Sequence, residues 1–300
     1  MSVGVDFDFP RWLAARRGAM EQQAREGAAY AYGGERAFRR TLQMARPVTI
    51  ALEATTRLWR DSARQELLTG SAKPTDDRYA KVLGRVHEAA KAAGAGLRVR
   101  VPVIFGMPET KLGIKALGTD DSPHLVVSLA LAAELDDKEL VAAIGHELGH
   151  IQNFHIFYAT ALHYLTHSAA FFVRWIVQPA IMTLQAWSRR AEVTCDRAAL
   201  LASRDLDKTL TSIVKLSLGL DKGTAFDAAE YLKAPPDPKQ GVVGRYGELF
   251  RSHPNVAKRV AALRLFADSA LYASLCGQDP TGKISMPDVD KQVGAMISVF

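Results

Sequence analysis

Two histidines four residues apart, with a glutamate directly after the first, lie in the stretch AAIGHELGHIQNFH, residues 142–155. On a helix, residues four apart share one face, so His146 and His150 can hold one Zn²⁺ through their ring nitrogens. Glu147 lies beside them, where it can reach a water molecule on the metal and take a proton from it. The spacing therefore predicts a zinc site of the kind that hydrolyses peptide bonds, with Glu147 as the general base.

A catalytic zinc site uses a third protein ligand and keeps the fourth position for water. Asn153 and Ile156 exclude the metzincin arrangement, which has glycine and histidine at these two positions. The later stretch SRRAEVTCDRAALLASR places Glu192 and Asp196 four residues apart, so both would face the same way on a helix. Glu192 could then bind zinc while Asp196 accepts a hydrogen bond from the second ring nitrogen of a zinc histidine. The alternative is an ordinary acidic spot on a helix rich in arginine.

Three stretches in series carry a resemblance to a known family. HELGHIQNFH, RRAEVTCDRAAL and SHPNVAKRVAAL, in that order, resemble the gluzincin family that contains the HtpX-type heat-shock endopeptidases and the CAAX prenyl endopeptidases. The resemblance covers residues 75–270 and implies a zincin-like catalytic domain. It implies that His146, His150 and Glu192 are the zinc ligands and that Asp196 supports them. His155 matches a further histidine of the family, but we expect it to be a partly buried or surface residue rather than a ligand.

The third stretch matches a His-Pro pair followed by an arginine in the family. The resemblance implies that His253 or Arg259 reaches into the site, where a hydrogen-bond donor would stabilise the oxyanion of peptide hydrolysis. We therefore expect His253 to be catalytic and Arg259 to lie next to the zinc ligands. The alternative is that His253 only begins a helix ahead of Pro254. Cys195 stands where many relatives have alanine, and we expect it to act as a small apolar residue.

The elements that must position these residues are mainly helices. Asp136 followed by Glu139 is a capping-box pattern that predicts where the zinc helix begins. Three strand-like stretches precede it, at 97–105, 110–117 and 124–131, and they predict a small antiparallel sheet. In the family, the strand before the zinc helix is expected to pair with an extended peptide by strand addition.

These elements define an α+β fold that is mainly α-helical, with a small antiparallel sheet and an N-terminal helical extension. We predict three parts, with the turn-rich stretch around Pro74 as the first boundary. They are the helical extension at 1–72, the zinc metallopeptidase domain at 73–275 and a C-terminal tail at 276–300.

Bulk composition limits the possible partners and compartment. The net charge of +6 comes from 38 basic and 32 acidic side chains spread over the chain, which does not indicate nucleic-acid binding. The only cysteines, Cys195 and Cys276, exclude a disulfide framework and favour a reducing compartment. The first residues lack the continuous apolar stretch of a secretory signal, so we expect a cytoplasmic protein.

Residues 156–187 are apolar enough to raise the question of a membrane span. They include Arg174 and Pro179, which suit a lipid-facing helix poorly. One crossing between His150 and Glu192 would put two ligands of one zinc on opposite sides of the bilayer, and two crossings need about 40 residues. We therefore predict a buried helix pair, with a patch that could rest on a membrane surface or on a second copy of the chain.

The leading hypothesis is a zinc-dependent endopeptidase acting on protein or peptide substrates. The alternative is a catalytically silent, zinc-stabilised binding or regulatory module. Glu147 argues against that alternative, because a structural zinc site has no use for a general base.

Overall fold

The computed structural model describes residues 27–44, 69–72, 76–108, 113–167, 171–218, 227–233 and 255–297. Its helices and strands, in chain order, are α1 (Gly33–Met44), α2 (Asp77–Leu97), β1 (Val103–Met107), β2 (Ile114–Thr119), β3 (Ser122–Ser128), α3 (Leu129–Glu134), α4 (Asp137–Gln152), α5 (Ile156–His167), α6 (Phe171–Ser203), α7 (Leu206–Leu218), α8 (Ala228–Lys233), α9 (Val256–Ala267), α10 (Ala270–Leu275) and α11 (Met286–Ile297). The predicted fold class, a mainly helical α+β protein with a small sheet, is confirmed.

The sheet differs from the prediction in one pairing. Its strand order is β1-β3-β2, with β2 antiparallel to β3 but β1 parallel to β3. Consecutive strands do reverse direction, yet β3 lies between the other two, so β1 gains a parallel neighbour. The reason is burial: Leu125, Val126 and Val127 of β3 are fully buried, and the central place covers both edges of this most apolar strand.

The zinc helix predicted from the sequence is α4. The Asp136 side chain accepts from the Glu139 N–H, and the Glu139 side chain accepts from the Asp136 N–H, which confirms the predicted capping box. Ile144 and Leu148 are fully buried on the face that meets the core. His146 and Glu147, on the other side of the helix, keep part of their surface exposed.

Close packing of α4 against α6 depends on small residues. A Cβ added to Gly145 would lie 2.5 Å from the Cβ of Ala202, and one added to Gly149 would lie 2.6 Å from the Cβ of Ala198. The two glycines are four residues apart, as are the two alanines, so each pair forms a smooth stripe along its helix. The close approach brings the side chains of the middle of α6 next to the histidines of α4.

Residues 27–44, part of the predicted N-terminal extension, pack against the end of α4 and against α6. The Asn153 side chain accepts from the Ala28 N–H at 2.8 Å and donates to the Tyr30 hydroxyl at 3.2 Å. The Tyr32 N–H donates to the Thr194 hydroxyl of α6 at 3.0 Å. The rest of the predicted extension that precedes residue 69 lies outside the described residues, and the boundaries near residues 72 and 275 stay predictions.

The described part of residues 156–187 forms α5 and the first half of α6. Tyr158, Leu162, Leu184 and Trp187 are buried in one apolar cluster, which Leu42 of α1 joins. Among the helices of the described ranges, none combines the length and apolar character that a bilayer crossing requires.

Candidate metal centre

Three side chains from two helices converge at the surface where α4 meets α6. His146 Nε2 lies 3.4 Å from Glu192 Oε2, and His150 Nε2 lies 3.5 Å from Glu192 Oε1. Glu192 is almost fully buried, and the two histidines are only slightly exposed. One carboxylate thus faces two imidazole nitrogens, each through a different oxygen.

These distances fit a shared metal ion. Zn²⁺ held tetrahedrally at about 2.0–2.2 Å from each ligand atom separates those atoms by roughly 3.3–3.6 Å. Burial lowers the pKa of His146, but the Glu192 and Asp196 carboxylates outweigh this effect and raise that pKa to about 10. The surroundings of His146 therefore favour a positive charge, and two imidazoles with one carboxylate are a donor set that zinc prefers.

Asp196 lies behind His146 and is held there by Arg259. The Asp196 carboxylate is 3.0 Å from His146 Nδ1, the ring nitrogen that faces away from Glu192. Arg259, from α9, donates to both oxygens of Asp196, at 2.9 and 2.6 Å, and its third nitrogen lies 3.3 Å from Glu192 Oε2. Burial raises the pKa of Asp196, but the Arg259 guanidinium outweighs it and holds this pKa below its usual value. The structure thus brings both predicted supporting residues to the ligands.

Glu147 lies between the histidines and the edge of the sheet. Its carboxylate accepts a hydrogen bond from the Ala116 N–H of β2 at 2.6 Å. The two histidines, Glu147, Gly113 and residues 114–117 of β2 line the same cleft, which has a volume of about 930 Å³. Two residues farther along β2, the Gly118 N–H donates to the Thr160 hydroxyl of α5 at 3.1 Å.

Two residues that the sequence did not assign to the site lie next to it. His155 Nδ1 is 3.3 Å from His150 Nδ1, and Cys195 Sγ is 3.6 Å from His155 Nδ1. Ligand atoms of His146, His150 and Cys195 lie within 4.8 Å of one another. Burial, reinforced by Glu192, raises the pKa of the Cys195 thiol well above its usual value. Glu192 faces each of the two histidines through a different oxygen, so it is the better-placed third donor.

Glu35 of α1 is a further carboxylate near these residues. Its Oε1 lies 3.4 Å from His155 Nε2, and Glu35 and His155 are both fully buried. Burial raises the pKa of Glu35, but His155 and Arg39 outweigh it and lower this pKa below its usual value. Burial lowers the pKa of His155 to about 4, so the ring is neutral near neutral pH.

The sequence offered unequal signals for these residues. The sequence motif includes His155, five positions after His150, but it does not indicate what His155 contacts. Nothing in the local pattern around Glu35 links it to a site more than a hundred residues later. His253 lies outside the described residues, so its predicted role stays a prediction.

The two histidines of the H-E-x-x-H stretch, Glu192 and the neighbouring sheet edge thus lie together. The sequence profile of peptidase family M48 matches residues 78–267, and the chain belongs to that family. This confirms the predicted resemblance and the predicted enzyme class, a hydrolase of the metallopeptidase type.

Curated relatives carry names that agree with this family. The chain is 31% identical over 164 residues to the plastoglobule-localized metallopeptidase 48 of Arabidopsis thaliana, which covers 51% of the chain and 48% of the relative. It is 27% identical over 245 residues to a protease HtpX homolog of Bordetella petrii, covering 69% and 76%. A protease HtpX of Nitrosococcus oceani is 25% identical over 233 residues, covering 66% and 76%. The chain thus spans about half the length of the plastoglobule relative, and no solved structure matches it significantly.

Proposed function

We propose that this chain is a zinc-dependent endopeptidase in which His146, His150 and Glu192 hold the metal. The observation that carries the proposal is the pair of nitrogen–oxygen distances, 3.4 and 3.5 Å, from the two histidines to the two oxygens of Glu192. Both imidazoles thus face one carboxylate at distances comparable with the roughly 3.3–3.6 Å between two ligand atoms of a tetrahedral zinc ion. Membership of a metallopeptidase family supports the same conclusion.

The chain's own residues would divide the work of hydrolysis. When bound, zinc supplies Lewis acidity that polarises the peptide carbonyl and makes water a better nucleophile. Glu147 takes the proton of the attacking water and passes it to the departing amine. Asp196 fixes the orientation and proton position of the His146 ring, and Arg259 holds Asp196 in place.

We further propose that β2 binds the substrate as an extended strand. The Gly113 carbonyl pairs with β3, and backbone groups of successive residues in a strand point to opposite sides. The N–H groups of Ala116 and Gly118, both at even-numbered positions, therefore point away from β3. In the free protein the Ala116 N–H is taken by Glu147 and the Gly118 N–H by Thr160. A substrate carbonyl that took over the Ala116 N–H would free the Glu147 carboxylate for its role as base.

Substrate class and location complete the proposal. The cleft is open enough for a polypeptide segment, which agrees with the relatives named as proteases. We propose protein or peptide substrates and a cytoplasmic location. A membrane surface or a second copy of the chain would meet residues 156–187. Residues 1–72 and 276–300 would flank the catalytic domain.

The test compares the wild type with Glu147→Gln and with Glu134→Gln, which changes an exposed glutamate at the end of α3. Both variants and the wild type should bind one zinc per chain. Cleavage of an unfolded protein such as casein should fall about 10²–10⁴-fold in Glu147→Gln only, because only that change removes the base. If all three bind zinc and none cleaves a broad peptide library, the silent binding module replaces the enzyme. If the wild type binds no zinc, the ligand assignment is wrong.

A further inference from the structure

His155 follows the zinc helix but is turned back beneath it. Phe154 has φ = 56°, a left-handed conformation that a bulky residue rarely adopts, and it reverses the chain at the end of α4. The His155 N–H then donates to the His150 carbonyl at 2.9 Å, and the two rings meet with Nδ1 3.3 Å from Nδ1. His155 is fully buried, so this contact is not a chance surface encounter.

Metal binding by His150 would fix the direction of the hydrogen bond between the two rings. If His150 binds the metal through Nε2, its neutral ring carries the proton on Nδ1 and donates it to His155 Nδ1. His155 must then carry its own proton on Nε2. That nitrogen makes no hydrogen bond among the described residues, but it lies 3.4 Å from Glu35 Oε1, whose negative charge favours a proton there.

We propose that Glu35, in the N-terminal segment formed by residues 27–44, positions the metal ligand His150 through His155. This proposal rests on the zinc site proposed above and adds two positioning residues to it. Glu35 holds the Nε2 proton of His155, His155 therefore offers Nδ1 as an acceptor, and His150 is fixed in the tautomer and ring orientation that leave Nε2 free for the metal.

Glu35 is itself held as firmly as such a role requires. Trp187 Nε1–H donates to Glu35 Oε1 at 3.1 Å, and Arg39 Nε lies 3.5 Å from the same oxygen. Arg39 also donates to the Asn153 carbonyl, at the end of the zinc helix. The Glu35 carboxylate is thus held at a fixed position relative to His155 and to the end of the zinc helix.

The assignment gives the N-terminal segment a chemical role. Glu35 lies before residues 78–267, the part of the chain that matches the family. A region outside the family match would then complete the surroundings of one zinc ligand. Metal affinity should depend on α1, although α1 supplies no ligand.

The experiment measures zinc affinity of the full chain by competition with a chromophoric chelator. Glu35→Gln keeps the shape of the side chain and removes its charge, and we expect about 10–100-fold weaker zinc binding. The matched control is Asp290→Asn, because Asp290 also anchors the N-terminal segment, through the Gly33 N–H and buried Arg197. We expect the control to bind zinc as the wild type does. The visible spectrum of the Co²⁺-substituted protein should change in Glu35→Gln and not in Asp290→Asn.

A second measurement needs no change at Glu35. In the zinc-loaded wild type, ¹⁵N NMR should show His155 protonated on Nε2 and unprotonated on Nδ1. His155→Gln, which keeps an acceptor and a donor, should bind zinc more tightly than His155→Leu. Protonation of His155 on Nδ1 overturns the proposal. Equal zinc affinity of the wild type and a folded Glu35→Gln variant also overturns it. In both cases the proposed zinc site itself stands. Equal loss in Glu35→Gln and Asp290→Asn also overturns it. A wild type without zinc removes the site and this proposal together.

Discussion

Each histidine proposed as a zinc ligand leads, through its second ring nitrogen, to a buried carboxylate that an arginine holds. For His146 the carboxylate is Asp196, in direct contact, and the arginine is Arg259. For His150 the carboxylate is that of Glu35, reached through His155. Carboxylates behind ligand histidines orient the rings and make them better donors. The two arrangements do the same work with different numbers of residues.

Asp196→Asn tests the direct arrangement. Asparagine can still accept a hydrogen bond from His146 Nδ1–H, but it carries no charge. The His146 ring therefore becomes a weaker ligand for the metal, and buried Arg259 loses its main counter-ion. We expect zinc affinity to fall about 10–100-fold, measured by chelator competition. Asp205→Asn, which removes a surface partner of Lys138, is the control and should leave the affinity unchanged. Equal affinities of wild type and Asp196→Asn would show that Asp196 does not act on the metal site.

Local periodicity explains which residues could be found from the sequence. Glu192 and Asp196 share a helix face because they are four apart, and His146 and His150 do so for the same reason. His155 was expected to be a partly buried or surface residue rather than a ligand, whereas it is fully buried against His150, a contact that depends on the left-handed backbone at Phe154. No helical or strand period encodes such a reversal, so sequence patterns could not place it.

At the scale of elements, the site depends on how closely two helices pack. Gly145 and Gly149 of α4 face Ala202 and Ala198 of α6 with no room for an added methyl group. The same stretch of α4 carries the histidines, and the same stretch of α6 carries Glu192. The glycines of the GHELGH stretch therefore set the distance between the metal ligands, a role that the H-E-x-x-H pattern does not reveal.

Gly149→Ala should separate the helices. Its Cβ would lie 2.6 Å from the Ala198 Cβ and 3.2 Å from the Cys195 Cα, neither of which can rotate away. Overpacking costs about 1–3 kcal/mol, more than the gain of about 0.5–1 kcal/mol from alanine in a helix. We expect lower free energy of unfolding and weaker zinc binding. Gly84→Ala in α2 meets open space and should raise stability instead. If denaturant unfolding shows both variants equally stable, the close packing does not constrain the site.

The sheet shows where pattern reading stops. An antiparallel sheet was predicted, and of its two pairings only that of β2 with β3 is antiparallel. The central place of β3 was not predicted, because strand order depends on which strand the helices cover, and that is decided by packing across the whole domain. The order leaves β2 beside α4, which is what brings the Ala116 N–H to Glu147.

At the scale of the whole molecule, distant segments meet around one centre. The proposed ligands come from α4 and α6, Arg259 comes from α9, and Glu35 comes from α1. α11 is tied to α6 by the ion pair of Arg197 with Asp290, which also binds the start of α1. The sequence predicted the ligands and Arg259 through the family resemblance, but it predicted neither the Glu35 contact nor the Arg197–Asp290 pair, each of which joins residues far apart in the chain.

Zinc should therefore stabilise the whole fold, because it joins α4 to α6. A ligand that binds only the folded state adds about 2.7 kcal/mol to stability at 100 times its Kd. We expect chelator-treated wild type to melt several degrees higher, by differential scanning calorimetry, once Zn²⁺ is restored. Glu147→Gln should show the same rise, because the base is not a ligand, whereas Glu192→Gln should lose most of it. A full rise in Glu192→Gln would mean that a side chain other than Glu192 completes the metal site.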